Sequence, residues 1–424
     1  MIKSIYPGAF SARLANGVRI LAEEVPTSRA VSLGIWIKAG SRDDPPSLPG
    51  LAHFLEHLIF KGTPTRDAAR ISREIDSIGG RINGATGKEF TFYYVDVPAA
   101  GLPTALEVLT DLVGHPALLP QEIDKERGVV LEEIRGHHDD PEQVAYDLFI
   151  AGLWRDKNPI SRTVLGEGKT IASLKRQQLV KFHRRLYQPE NMFLVACGAV
   201  DHESLFSKAE RLFDGKSSTP VPKRKTPHIK GGRMWHHRPT GQTHVYMGLP
   251  APAVAEGDRF PLEVVNMILG GGSGSRLFRS IREERGLAYA ISSSTNYYSD
   301  TGAWLVYAGA APESVETILD LMQEELSRLK EDGVTQGELS LAKAKLKGNL
   351  ILAMEANNYL MTRLGTAAVK NGELLSPDEV LARLKAVSKR DIARAIDRFL
   401  QLDSMNLTVV GPTKPSVVPT SNFD

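Results

Sequence analysis

Phe90 to Val113 reads FTFYYVDVPAAGLPTALEVLTDLV, an apolar strand, a proline-marked turn and then an amphipathic helix. The same pattern returns from Gly302 to Met322 as GAWLVYAGAAPESVETILDLM. Three further correspondences follow at a spacing of about 210 to 216 residues. LAHFLEHLIF (51–60) matches PLEVVNMILG (261–270) in helical apolar pattern. Arg176, Phe182 and Leu186 on one helix match Arg390, Ile396 and Leu400, and Asn191 opening a strand matches Asn406 opening NLTVV (406–410). Further strands are expected at 31–38 and 244–249. The duplication predicts an α+β protein of two homologous domains, each a mainly antiparallel sheet packed with helices. Between them DGKSSTPVPKRKTPHIKGGR (214–233) carries three prolines and a basic run, Lys223, Arg224 and Lys225, and reads as a solvated linker. The domains are therefore expected at 1–213 and 234–424.

Composition narrows the classes. Across 424 residues, 42% hydrophobic and 24% charged content is that of a globular protein with ordinary cores. Lys plus Arg outnumber Asp plus Glu by 52 to 50, a balance that calls for neither nucleic acid nor an acidic membrane surface. No run nears the ~18 apolar residues of a membrane span. The single cysteine, Cys197, lies in the apolar run MFLVAC (192–197) and reads as a buried structural thiol. The start, MIKSIYPG, lacks the apolar stretch of a signal peptide, so a reducing, cytoplasmic location is expected.

HFLEH (53–57) is the most informative pentapeptide. Residues four apart share a helix face, so His53 and His57 can offer their imidazoles to one ion, with Glu56 on nearly the same side. Leu51, Phe54, Leu55 and Leu58 supply the packing that fixes such a helix. Two imidazoles and a carboxylate, with a fourth position left for water, suit a catalytic zinc. The competing reading is two unrelated histidines on a partly buried helix. A third ligand must come from elsewhere. The amphipathic stretch 122–134 places Glu126 and Glu133 two turns apart on one face, with Glu132 about 100° away. His137 and His138 are rival donors, but they follow Gly136 into an Asp-Asp-Pro turn and read as surface residues.

With these motifs the chain resembles the inverted zincins of the pitrilysin and insulysin family, especially the half-length branch that includes the mitochondrial processing peptidases. The family pattern is His-x-x-Glu-His followed some 75 residues later by a ligand glutamate, and 75 residues separate His57 from Glu133 here. The resemblance implies that His53, His57 and Glu133 bind zinc, that Glu56 is the catalytic base, and that Glu126 supports a metal-site histidine. GGRINGAT (79–86), continued by Glu89, Thr91 and Tyr93, resembles the family's substrate-pairing strand and assigns substrate contacts to Asn83, Ala85 and Thr86. Gly84 departs from the family's usual alanine, for which only a local backbone effect is expected.

In the second half GGGSGSRLF (270–278) resembles the family's glycine-rich segment and lacks the Gly-Lys-Ser/Thr ending of a phosphate loop. REERGLAY (282–289) resembles the family's arginine–tyrosine pair, which maps to Arg282 and Tyr289. Those side chains are implied to bind substrate backbone and steady the oxyanion. The positions matching the metal residues hold Glu263, Asn266, Met267 and Asn349, so only the first half is expected to bind metal. The expectation is a zinc metalloendopeptidase acting on extended peptides or unfolded segments, with a homodimer supplying Arg282 and Tyr289 from the partner copy. A non-catalytic core or assembly subunit is the alternative, but such relatives lose metal residues that are all present here. A peptidase subunit needing a different partner chain is the other.

Overall fold

The computed structural model describes residues 2–154, 158–213 and 223–414. Seven strands belong to the first compact unit: β1 (Lys3–Tyr6), β2 (Ala9–Arg13), β3 (Arg19–Glu24), β4 (Ala30–Ile37), β5 (Arg81–Thr86), β6 (Thr91–Pro98) and β7 (Met192–Gly198). Five belong to the second: β8 (Gly232–His237), β9 (Thr243–Ala251), β10 (Ala288–Tyr297), β11 (Gly302–Ala310) and β12 (Asn406–Gly411). The first sheet runs β1-β2-β3-β7-β4-β6-β5 and the second β10-β11-β9-β12-β8. Read from the other end, the second sheet repeats β3-β7-β4-β6-β5 strand for strand. Each has one parallel pairing, β3 with β7 and β8 with β12, and is otherwise antiparallel. The architecture is α+β in both units, as the duplicated pattern predicts.

Five helices position the site: α1 (Leu51–Ile59), α2 (Ala68–Ser77), α3 (Leu102–Gly114), α4 (Pro120–Asp139) and α5 (Pro141–Leu153). The apolar side of α1 (Leu51, Phe54, Leu55, Leu58) and that of α3 lie in one core with the inward residues of β3, β4 and β6. Glycine at N-cap Gly50 answers a backbone requirement, since its φ of 93° is left-handed and a Cβ would stand 2.6 Å from Leu165 O.

The compact units do not coincide with the sequence halves. Unit 1 is Met1–Arg135, Arg162–Arg224 and Ala353–Ser376; unit 2 is Gly136–Ser161, Lys225–Leu352 and Pro377–Asp424. Each half thus lends a helix to the other's sheet. The helix Asn357–Val369 covers the outer face of β4 and β7, with Leu360, Met361 and Leu364 packed on Trp36, Phe193 and Val195. Gly365 allows this approach, because a Cβ there would stand 2.6 Å from the Trp36 ring. Helix α5 does the same in unit 2, setting Phe149 and Leu153 against Tyr246, Leu305 and Val410.

The linker expectation fares unevenly. Residues 214–222 lie outside the described residues, and β8 already begins at Gly232. Arg224 is not solvated: its guanidinium lies 2.7 Å from Asp43 and 3.2 Å from Glu89, with the side chain 12% exposed. Cys197 is fully buried, as expected of a structural thiol. Among the described residues no helix is long and apolar enough to cross a membrane.

Candidate metal centre

Helix α1 buries its apolar side and turns His53, Glu56 and His57 to the other, so the three donors lie within 4.8 Å of one another. Helix α4 brings a fourth group. Glu133 Oε2 stands 3.4 Å from His57 Nε2 and 3.7 Å from His53 Nε2. Two ligands each about 2.0–2.1 Å from a tetrahedral zinc are about 3.3–3.4 Å apart, so this donor set fits the ion in both chemistry and spacing. On the far side of His57, Glu126 Oε2 lies 3.4 Å from Nδ1, and Lys61 Nζ holds Glu126 Oε1 at 2.8 Å. His53 turns Nε2 inward and leaves Nδ1 buried without a hydrogen-bond partner among the described residues.

Burial dominates the electrostatics. It pulls the His53 pKa down to about 4, against the attraction of Glu133, which keeps the imidazole in the neutral form a ligand needs. Burial would lower His57 too, but the Glu133 hydrogen bond and the charges of Glu56 and Glu133 reverse it to a net rise. Glu56 is raised above the usual carboxylate range by burial, opposed by His57 and by a 3.4 Å hydrogen bond from Thr86 Oγ1.

The cavity in front of these groups, about 510 Å³, is closed on one side by β5, the free edge of the sheet. Asn83, Gly84, Ala85 and Thr86 line it. Asn83 is exposed, and its Oδ1 accepts from the Gly84 amide at 2.8 Å. Glycine at 84 matters beyond the local backbone: a Cβ there would stand 3.1 Å from both Glu56 Oε1 and the Phe60 ring.

The rival donors lie elsewhere in the fold. Helix α4 continues through Gly136, so His137 and His138 sit in its last turn rather than in a loop. Helix α5 starts two residues later, capped by Asp140, and its Asp147 pairs with His137 Nε2 at 2.7 Å; only His138 is an exposed residue as expected. In unit 2 the helix Arg259–Leu269 occupies the place of α1. Its Asn266 accepts from Trp304 Nε1 at 3.1 Å and its Glu263 from Thr295 Oγ1 at 2.6 Å, so the positions of the metal donors serve internal hydrogen bonds there.

Arg282 and Tyr289 occupy two backbone irregularities of unit 2. Arg282 lies in a π-helical turn, Phe278–Glu283, and Tyr289 is the extra residue where β10 slips register on β11 between Ala288 and Ala290. Tyr289 is 74% exposed on an edge strand.

Asp44 escaped the sequence reading. It is buried, and its two carboxylate oxygens accept from the Gly50 and Ala52 amides at 2.8 and 2.9 Å, filling the open N-terminus of α1. The loop carrying it is tied to the β5–β6 turn by a buried Arg42–Glu89 pair at 2.7 Å and by Ser41 N donating to Gly87 O at 3.0 Å. Replacing Asp44 with Ala should lower stability by about 1–2 kcal/mol, the usual loss with a cap, seen as a drop of a few degrees in Tm. Zinc affinity should weaken with it, because the same helix carries both histidines. Unchanged Tm and zinc affinity in Asp44→Ala would show that the helix needs no cap here.

Residues 19–167 match the family model described as "Insulinase (Peptidase family M16)", and residues 173–346 the one described as "Peptidase M16 inactive domain". A protein of Streptomyces coelicolor named as an uncharacterized zinc protease is 38% identical over 410 residues, covering 95% of this chain and 89% of its own. YmxG of Bacillus subtilis, also named as an uncharacterized zinc protease, is 33% identical over 399 residues, covering 94% and 97%. Among solved structures, a peptidase M16 inactive domain from Pseudomonas fluorescens reaches a TM-score of 0.88 at 21% identity over 98% of both chains. A protease from Helicobacter pylori reaches 0.87 at 24% identity over 95% of this chain and 99% of its own; at such identities both show the fold. The relatives above 30% identity span nearly the whole chain, and with the two family models they establish that this protein belongs to the insulinase family of peptidases.

Proposed function

We propose that the protein is a zinc metalloendopeptidase that cleaves extended peptides or unfolded segments, working as a homodimer that encloses its substrate. The observation that carries this reading is the meeting of His53, His57 and Glu133 at zinc-ligand spacing, with Glu56 beside them. Zinc, when bound, supplies a Lewis acid that polarises the scissile carbonyl and makes the attacking water more acidic. Glu56 takes that water's proton and returns it to the leaving amine. Its raised proton affinity suits it to both steps. Thr86 holds Glu56 Oε2 and so leaves Oε1 to accept. Glu126, itself anchored by Lys61, keeps the His57 ring turned with Nε2 toward the metal position.

The free edge of β5 offers main-chain groups to an extended peptide, with Asn83, Ala85 and Thr86 lining its path. This selects for an unfolded conformation more than for side-chain sequence. Arg282 and Tyr289, both donors, meet the charge that develops on the carbonyl oxygen and come from the partner copy.

Two measurements test the reading. Purified chain should hold one zinc, lose peptide cleavage to a chelator and regain it with zinc, while His53→Ala and Glu133→Ala hold none. A zinc-loaded chain that leaves a mixed peptide library intact would refute it. For the shared site, inactive Glu56→Gln and Tyr289→Phe chains are mixed and allowed to exchange subunits. A mixed dimer holds one doubly damaged and one intact site, so activity should return toward about half of wild type in that species. Mixed dimers that stay inactive would place the whole site within one chain.

A further inference from the structure

Four arginines lie between residues 276 and 285, and three of them face carboxylates. Arg276 makes two contacts to Glu338 at 2.6 and 3.0 Å. Arg279 lies 3.7 Å from Glu284, and Arg285 lies 3.4 Å from the same carboxylate. Arg282 differs. Among the described residues its side chain makes no hydrogen bond or ion pair, and its guanidinium carbon sits over two aromatic rings, 5.2 Å from the centroid of Phe278 and 5.8 Å from that of Tyr289. Both separations fall within cation–π range.

The backbone is built around this arrangement. Buried Leu277 and Ile281 anchor the turn, and Glu284 N donates to Arg279 O, the five-residue step of a π turn. Gly286, at a left-handed φ of 64°, then reverses the chain, and Leu287 N donates back to Ile281 O at 3.0 Å. The bulge in β10 re-aims Tyr289 toward the turn just left. A guanidinium held by its faces keeps its N–H groups free around its edge. Arg282 is exposed and so has its donors available to a carbonyl or carboxylate oxygen.

We propose that Phe278 is a positioning residue: its ring, with that of Tyr289, clamps the Arg282 guanidinium edge-outward so that its donors point at the substrate oxygen. This rests on the reading of Arg282 and Tyr289 as substrate-binding groups. Phe278 takes no part in the chemistry and touches the substrate only through Arg282. A leucine at 278 fills similar apolar volume without a π face, whereas tyrosine keeps the face.

Kinetics of the full-length, zinc-loaded protein on one peptide test this. Phe278→Leu should lower kcat/KM about two- to fivefold, the loss of one exposed cation–π contact, and Phe278→Tyr should restore it. In an Arg282→Ala background Phe278→Leu should have no further effect. The same fold-loss with and without Arg282 would make Phe278 a structural residue only and overturn the proposal. So would an unaltered kcat/KM in Phe278→Leu when Arg282→Ala is impaired. If Arg282→Ala itself cleaves like wild type, the substrate-binding reading of Arg282 fails first and the clamp loses its purpose with it. Crystal structures of wild type and Phe278→Leu give an answer independent of activity. The guanidinium should be ordered between the rings in the first and displaced in the second, and an Arg282 in the same place in both would overturn the clamp.

Discussion

Glu56→Gln should keep its zinc and lose peptide cleavage by about 10³-fold, within the range that general-base catalysis supplies. Glutamine is nearly isosteric, and its amide oxygen can still accept from Thr86 Oγ1, so the helix and the cavity should stay as they are. His53, His57 and Glu133 are untouched, and in the proposed site these three would hold the metal without help from residue 56. What disappears is a carboxylate whose proton affinity burial has raised and which can therefore take a proton from water. The comparison with Glu133→Gln separates the two acids, since that variant should lose the metal and the activity together. Zinc content and single-turnover cleavage, measured on the same preparation, decide the matter. A Glu56→Gln chain with bound zinc and wild-type turnover would move the base elsewhere, and a zinc-free one would make Glu56 a ligand.

Much of this was legible in the residues because it is local. The i, i+4 spacing of His53 and His57 needs only a helix, and the apolar pattern of LAHFLEHLIF provides one. The duplicated strand–helix pattern carried the two-sheet architecture, down to Asn191 and Asn406 at the heads of equivalent strands β7 and β12. Contacts that join distant segments left no such mark. Asp44 precedes α1 by a proline-rich loop, and nothing in SRDDPPSLPG announces which of its two aspartates caps the helix. Arg224 sits in a basic run whose composition says solvent, yet Asp43 and Glu89 wait for it across the fold. Lys61 reads as a helix-terminal charge until Glu126 is seen beside it. The π turn at Arg282 and the bulge at Tyr289 are one-residue departures from regular period, below what hydrophobic periodicity resolves. Gly84 looked like a minor exchange because the sequence cannot show that its missing Cβ faces Glu56.

Cutting the chain at the apparent domain boundary should leave neither half folded. A fragment of residues 1–213 carries all seven strands of its sheet but lacks the helix Asn357–Val369. The outer face of β4 and β7, with Trp36, Phe193 and Val195, would then meet water. Leu360, Met361 and Leu364 bury at about 1.5–3 kcal/mol each, so their loss alone comes to about 5–9 kcal/mol. That is comparable to the whole stability of a typical domain, about 5–15 kcal/mol. The loss also strips the Asn357 Nδ2 hydrogen bonds to Ser28 Oγ and Ala30 O, both 2.8 Å. The fragment 234–424 has the mirror deficiency, because α5 supplies Phe149, Ile150 and Leu153 to its core. Gly248 in β9 leaves a hollow for that helix, where a Cβ would meet Leu153 at 2.6 Å and Phe149 at 2.7 Å. Expressed alone, each fragment should aggregate or show no cooperative thermal transition by circular dichroism. Expressed together, they should co-purify, since each holds the helix that completes the other's sheet. Residues 1–224 joined by a flexible tether to 353–376 should fold better than 1–213, although a longer first half alone should not. If 1–213 unfolds cooperatively at the temperature of the intact chain, the exchanged helices contribute little, and the sequence halves would be the true folding units.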